Sequence, residues 1–120
     1  MTKDELLHEM KTLAALINNE KKRALYEKRQ IAKLTLGLKK LKAKYELDVL
    51  NELDSAGKAK FSNSEKRTAE VNRLLDLNAD YREQEDLVES KQMIVEDSEL
   101  DASYNSYLFR AYEVYGKNNE

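Results

Sequence analysis

The chain has no cysteine and no proline, three glycines and a single histidine in 120 residues. Without cysteine there is no disulfide framework, no thiolate nucleophile and no cysteine-based zinc site, and a reducing compartment is compatible. Without proline, and with so little glycine, long stretches carry no helix breaker. No segment approaches the roughly 20 apolar residues of a membrane span. The start, Met1-Thr2-Lys3-Asp4-Glu5-Leu6-Leu7, also lacks the apolar core of a signal peptide. A cytoplasmic location is therefore expected. Lys3-Asp4-Glu5-Leu6 spells a retention address that is read only at a C-terminus, so its occurrence here is chance.

The signatures of chemistry are missing as well. Glu5-x-x-His8 has the spacing of a dimetal ligand pair, but such a site needs a second Glu-x-x-His, and His8 is the one histidine. Gly57-Lys58 would belong to a phosphate-binding loop only with glycine where Glu52 stands and Ser or Thr where Ala59 stands. Glu96, Asp97, Glu99 and Asp101 form an acidic cluster, yet paired-carboxylate catalysis needs a cleft that raises a pKa, so a solvated face is the expectation. No strand-to-helix elbow is expected to carry a nucleophilic serine. The chain is expected to be no enzyme and to hold no cofactor or metal.

Charge, by contrast, is abundant. Asp, Glu, Lys and Arg make up 37% of the residues, and a mean hydropathy of −0.80 leaves too little apolar material for a thick core. A composition rich in Ala, Glu, Lys, Leu and Arg is that of long or coiled helices. Disorder shares this high charge, but the net charge is only −2, and the apolar residues are periodic.

In the first arm, residues 1–54, the periodicity alternates steps of four and three through Leu6, Met10, Leu13, Ile17, Glu20, Ala24, Glu27, Ile31, Leu34, Leu38, Leu41 and Tyr45. Val49 and Leu53 then follow at steps of four. This is a heptad seam with a polar middle. Asn18-Asn19, poor helix formers, offer one point where the arm could divide. The turn is expected over 55–61, with Gly57 as a C-cap. A second arm, 62–115, is expected to open on a capping box, Ser62-Asn63-Ser64-Glu65. Its weaker seam reads Val71, Leu74, Asn78, Tyr81, Glu85, Val88, Gln92 and Val95, then shifts to Leu100, Tyr104, Tyr107, Leu108, Ala111 and Tyr115. Residues 116–120 read as a frayed tail.

Folding the arms about Gly57 puts residue i near residue 116 − i. Asn78 then sits opposite Leu38, either buried and fixing the register or exposed. Residues 21–44 carry ten basic side chains and one acid, Glu27, whereas 76–101 carry ten acids with only Arg82 and Lys91. Pairing of these charges within the molecule is the favoured expectation. Lys21, Lys22, Arg23, Lys28, Arg29, Lys39, Lys40 and Lys42 remain candidates for nucleic-acid binding, although a pI near 5.6 is unlike that of a dedicated binder. Conversely, Asp76, Asp80, Glu83, Asp86 and Glu89 present carboxylates along a helix, as a nucleic-acid mimic would.

The densest apolar cluster spans Tyr104, Tyr107, Leu108, Phe109, Tyr112, Val114 and Tyr115, more than one helix stripe can hold. Part of it is expected to pack on Leu6–Ile17. Tyr104, Tyr107, Leu108, Phe109, Tyr112 and Tyr115 are equally the candidate protein-binding residues, since tyrosine-rich patches favour interfaces.

The stretch Lys60-Phe61-Ser62-Asn63-Ser64-Glu65-Lys66-Arg67, followed by Val71 and framed by charged helices, resembles small helical accessory proteins of bacteriophages and prophages. In that set a Ser/Thr-Asn turn with Arg four residues later opens the second helix. The resemblance covers about a dozen residues and implies a protein acting among replication, recombination or counter-defence functions, in the cytoplasm of a host bacterium. It carries no defined functional residue and does not extend to the tyrosine-rich end.

The expected fold is thus an all-α antiparallel hairpin, a coiled coil of one domain that oligomerises into a helical bundle. The expected function is binding and modulating another protein, such as a nucleic-acid-processing enzyme or a host-defence nuclease of the CRISPR kind. The alternatives are a nucleic-acid-binding accessory protein and a structural coiled coil.

Overall fold

The computed structural model describes residues 1–119. Three helices account for most of them: α1 (Lys3–Asn51), α2 (Ser64–Leu77) and α3 (Ala79–Asn118). No strand occurs among the described residues, only one isolated antiparallel bridge between Leu53 and Ala59. Contacts divide the chain into two compact units, Met1–Gln30 with Lys91–Glu120, and Ile31–Ser90.

Helix α1 starts on a reciprocal capping box that the Thr-x-x-Glu spacing signals. The Thr2 hydroxyl accepts from the Glu5 N–H at 3.1 Å and the Glu5 carboxylate accepts from the Thr2 N–H at 3.3 Å. The helix then passes unbroken through Asn18-Asn19. Both asparagines are exposed, and their propensity deficit, under about 1 kcal/mol each, is outweighed by the packing of Leu13 and Ile17 on the opposite face. Every seam position from Leu6 to Val49 is buried or half-buried. Leu53 is exposed because α1 has already ended at Asn51.

The connection is an ordered hairpin that occupies more of the chain than 55–61. The Asp54 carboxylate accepts from the N–H groups of Ala56 and Lys58 at 2.9 and 3.0 Å, and the Lys60 N–H donates to the Glu52 carbonyl at 2.9 Å. Gly57, with φ of 79°, sits at the tip of this hairpin and caps no helix. The N-cap of α2 is Asn63, one residue beyond the expected Ser62. Its side chain accepts from the Lys66 N–H at 2.8 Å.

The second arm is two helices. Asn78 ends α2 with its own N–H on the Leu75 carbonyl, and its side-chain oxygen accepts from the Tyr81 N–H at 3.0 Å at the start of α3. Its amide donates to the Tyr45 hydroxyl at 2.9 Å. Asn78 therefore faces Tyr45 and not Leu38, and it acts as a double cap and not as a seam residue within a helix. Beside it lies the core of this unit, Val49, Val71 and Leu75, with Tyr45, Phe61, Leu74 and Tyr81 packed around. Val49, only 1% exposed, contributes about 1.5–3 kcal/mol by burial. Burial pushes the Tyr81 hydroxyl pKa up, and the nearby Glu85 carboxylate adds to the effect.

Along α3 the half-buried and buried residues are Tyr81, Val88, Lys91, Ile94, Val95, Ser98, Ala102, Asn105, Ser106, Leu108, Phe109, Tyr112 and Gly116. From Val88 to Gly116 every a and d position is among them, flanked by Ile94, Ser106 and Leu108 at e and g, whereas Gln84, the d position after Tyr81, is exposed. Glu85 and Gln92 are exposed, and of the expected shifted seam Leu100, Tyr104, Tyr107, Leu108, Ala111 and Tyr115 only Leu108 is half-buried. Small residues hold the seam because the helices come close: Ala24, Ser98 and Ala102 are all buried. A Cβ on Gly116 would lie 3.0 Å from Leu6 Cδ2. This contact also explains why helix continues to Asn118, through most of the expected tail, with Lys117 favourably placed in the last turn. Asn119 forms a turn with its N–H on the Gly116 carbonyl, and Glu120 lies outside the described residues.

The mirror rule about Gly57 fails by several residues. Leu6 meets Gly116 and Glu27 meets Lys91 in one unit, while Tyr45 meets Asn78 in the other. Their numbers sum to roughly 120 rather than 116. The rule assumes continuous helix on both sides, at 1.5 Å per residue. The hairpin of 52–63 and the break at Asn78 advance the chain differently.

Two substitutions probe these features. The buried Ser98 hydroxyl has no hydrogen-bond partner among the described residues, so Ser98→Ala is expected to stabilise the protein by up to about 1 kcal/mol in chemical denaturation. Asn78→Ala removes two side-chain hydrogen bonds and is expected to cost about 1–2 kcal/mol. A wild-type unfolding midpoint for the latter would remove the capping role.

Candidate protein-binding face

A helix in a heptad seam points its a and d positions at its neighbour and its c and f positions away from it. With Val95, Ala102 and Phe109 at a, the outward c and f positions of α3 are Met93, Asp97, Leu100, Tyr104, Tyr107, Ala111 and Val114. All are exposed. Leu100, Tyr104 and Tyr107 are 68%, 64% and 71% exposed, with Met93 and Val114 only slightly less open. α3 thus carries two apolar heptad stripes. One is buried against α1 and the other is open. The second could have been found by asking which heptad phase the large residues share after Val95, instead of letting the seam follow them.

The tyrosine-rich cluster accordingly divides. Leu108, Phe109 and Tyr112 are half-buried. Tyr112 and Tyr115 line a groove of about 740 Å³ with Leu6, Leu7 and Met10, which fits the expected packing on the first arm. Tyr104 and Tyr107 face away. Tyr107 also borders a second groove, about 660 Å³, floored by Ala24 and Ala102 and edged by Lys21, Lys28 and Arg110. The only acid there, Glu99, is already paired with Lys28 at 2.6 Å. Arg110 has no ion-pair partner among the described residues.

The expected neutralisation of the two charged runs is not what the side chains do. All of Lys21, Lys22, Arg23, Lys28, Arg29, Lys33, Lys39, Lys40, Lys42 and Lys44 are exposed, and among the described residues only Lys28 is in an ion pair. Lys22, Arg29, Lys33, Lys39 and Lys40 occupy outward b, c and f positions, from which a side chain does not reach across the seam. The acids Asp76, Asp80, Glu83, Asp86 and Glu89 are likewise exposed, and no ion pair involves them among the described residues. Glu83, Asp86 and Glu89 fall at c, f and b, the outward half of α3, and Asp80 flanks the seam at g.

The seam pairs the exceptions instead. Glu27, the one acid in the basic run, accepts from Lys91, one of two bases in the acidic run, at 2.9 Å; their side chains are 13% and 20% exposed. The remaining pairs are local: Lys60 with Glu52 at 3.2 Å, and Arg73 with Glu70 one turn apart. The Arg73 guanidinium holds the Glu70 carboxyl below the usual range.

No group of His, Cys, Asp or Glu among the described residues is arranged to hold a metal ion, and no helix among them is long and apolar enough to cross a membrane. Compared with family models, curated proteins and solved structures, the chain matches none.

The inverted ion pair should matter more than the exposed one. Lys91→Ala leaves the Glu27 carboxylate half-buried and unpaired, with an expected loss of about 1–3 kcal/mol, whereas Lys28→Ala should cost at most about 1 kcal/mol. Equal losses in urea denaturation would contradict the distinction.

Proposed function

We propose that the chain is a non-enzymatic helical module that works by binding proteins through the outward side of α3. The observation that carries this reading is the open stripe Met93, Leu100, Tyr104, Tyr107 and Val114. Large apolar residues repeating at heptad spacing are what a second helix covers, and Tyr is a favoured interface residue. In keeping with the phage-type resemblance, the target is a nucleic-acid-processing enzyme or host-defence nuclease, which the chain occupies and modulates. The row Asp80, Glu83, Asp86 and Glu89, independently of the stripe, offers carboxylates to a groove built for phosphates.

Leu100→Glu with Tyr107→Glu places two charges on the stripe and none in the seam. The variant should keep wild-type helicity and melting temperature, and should lose self-association by light scattering or a protein captured from a bacterial lysate. Loss of helicity, or retention of every association, would overturn the reading.

One observation favours direct nucleic-acid binding as a second reading, namely that nine of the ten basic side chains in 21–44 lack an ion pair among the described residues. In that case DNA should bind at low salt with an affinity falling steeply as salt rises, and Lys39, Lys40 and Lys42 to Glu should weaken it. No binding at low salt discards this reading.

A further inference from the structure

The geometry points to a second copy of this chain, running antiparallel, as the occupant of the open stripe on α3. This rests on the reading of that side as a binding face and names what covers it. From Met93 to Val114 the stripe covers three heptads, about 32 Å of helix, a length at which a heptad pattern sustains a coiled coil. It is also symmetric about its midpoint near Tyr104. Mirrored there, Met93 falls opposite Val114 of the partner subunit, and Leu100 falls opposite Tyr107 of the partner subunit. Tyr104 packs beside its own counterpart. Asp97, the one acid in the stripe, meets the small Ala111 of the partner subunit, which leaves its carboxylate at the edge.

The flanking charges obey the same mirror. The b positions beside the stripe are Glu96, Ser103, Arg110 and Lys117, acidic at one end and basic at the other. An antiparallel two-fold sets Glu96 against Arg110 of the partner subunit, twice per dimer. Both are exposed and neither has an ion pair within its own chain among the described residues. Arg110 in particular stands near Lys21 and Lys28, with the one nearby acid already taken, so it lacks the counter-charge that Glu96 supplies. A parallel pair would instead bring Glu96 beside Asp101 of the partner subunit, like against like, and leave Arg110 beside Tyr115 of the partner subunit, and is disfavoured. The surface is isologous, as a closed two-fold dimer requires.

The chain lacks cysteine, which makes a directed cross-link unambiguous. Full-length Leu100→Cys and Tyr107→Cys variants, mixed and mildly oxidised, should form a disulfide-linked heterodimer, while each alone should cross-link at least about tenfold less. Sedimentation should give a dimer for the wild type. Glu96→Arg or Arg110→Glu alone should weaken it about tenfold, and the two changes in one chain should restore it. Efficient self-cross-linking of each single variant, or no rescue by the double charge reversal, would overturn the antiparallel dimer. A monomeric wild type whose Leu100→Glu/Tyr107→Glu variant loses a captured foreign protein would overturn the second copy as occupant while leaving the binding face intact. A monomer that captures nothing would overturn both.

Discussion

A helix with more than a third of its residues charged has only a narrow stripe to bury, and the close approach of α1 and α3 is the constraint from which the rest of the structure follows. Ala24, Ser98 and Ala102 are small enough to let the two backbones come near each other. Leu6 lies on Gly116, where a Cβ would come within 3.0 Å of Leu6 Cδ2 and oblige that side chain to move. Close contact in turn strips water from the few polar groups caught in the seam. Glu27 and Lys91 answer that by pairing. The Ser98 hydroxyl and one carboxylate oxygen of Glu20 find no partner among the described residues, which makes this unit less stable than an all-apolar seam of equal length.

The pair Glu27–Lys91 also specifies the alignment. Each residue carries the charge opposite to its surroundings, so a slip that separates them brings Glu27 toward other positions of α3 and leaves Lys91 without its acid. Partly buried ions placed in this way select a register more than they add stability. The exposed charges on the two runs, free of one another except for the pair Lys28–Glu99, give the surface strongly basic and strongly acidic stretches even though the whole chain is close to neutral.

Legibility in the sequence followed residue size. The α1 seam from Leu6 to Val49 could be read in full because its apolar positions are mostly Leu and Ile, and because their spacing carried the reading across Glu20, Ala24 and Glu27. The α3 seam could not, because four of its six occupants after Val95 are Ser98, Ala102, Asn105 and Gly116, with only Phe109 and Tyr112 large, while the outward face displays Leu100, Tyr104 and Tyr107. Hydrophobicity alone points at the wrong stripe when the true one is chosen for smallness. The all-α class and the tyrosine cluster were legible. The hairpin, the Asn63 cap and the break at Asn78 were not, because each depends on one polar side chain choosing among several local hydrogen-bonding arrangements. The open stripe emerged only once burial had assigned the seam to the other phase.

Asn78 bears on how such a chain tolerates length changes. Because α2 and α3 are capped separately at this residue, the angular phase of α3 is not inherited from α2, and a residue gained or lost at the junction can be absorbed there by re-forming one cap. Within α3 there is no such buffer. A single deletion near Val88 turns every later side chain by about 100° around the helix axis. Ser98, Ala102 and Phe109 would leave the seam, and bulkier or charged neighbours would be driven into the narrow space that the small residues had kept open. The junction is therefore the place where this arm can change length, and the forty residues after it form a stretch in which length is as constrained as composition.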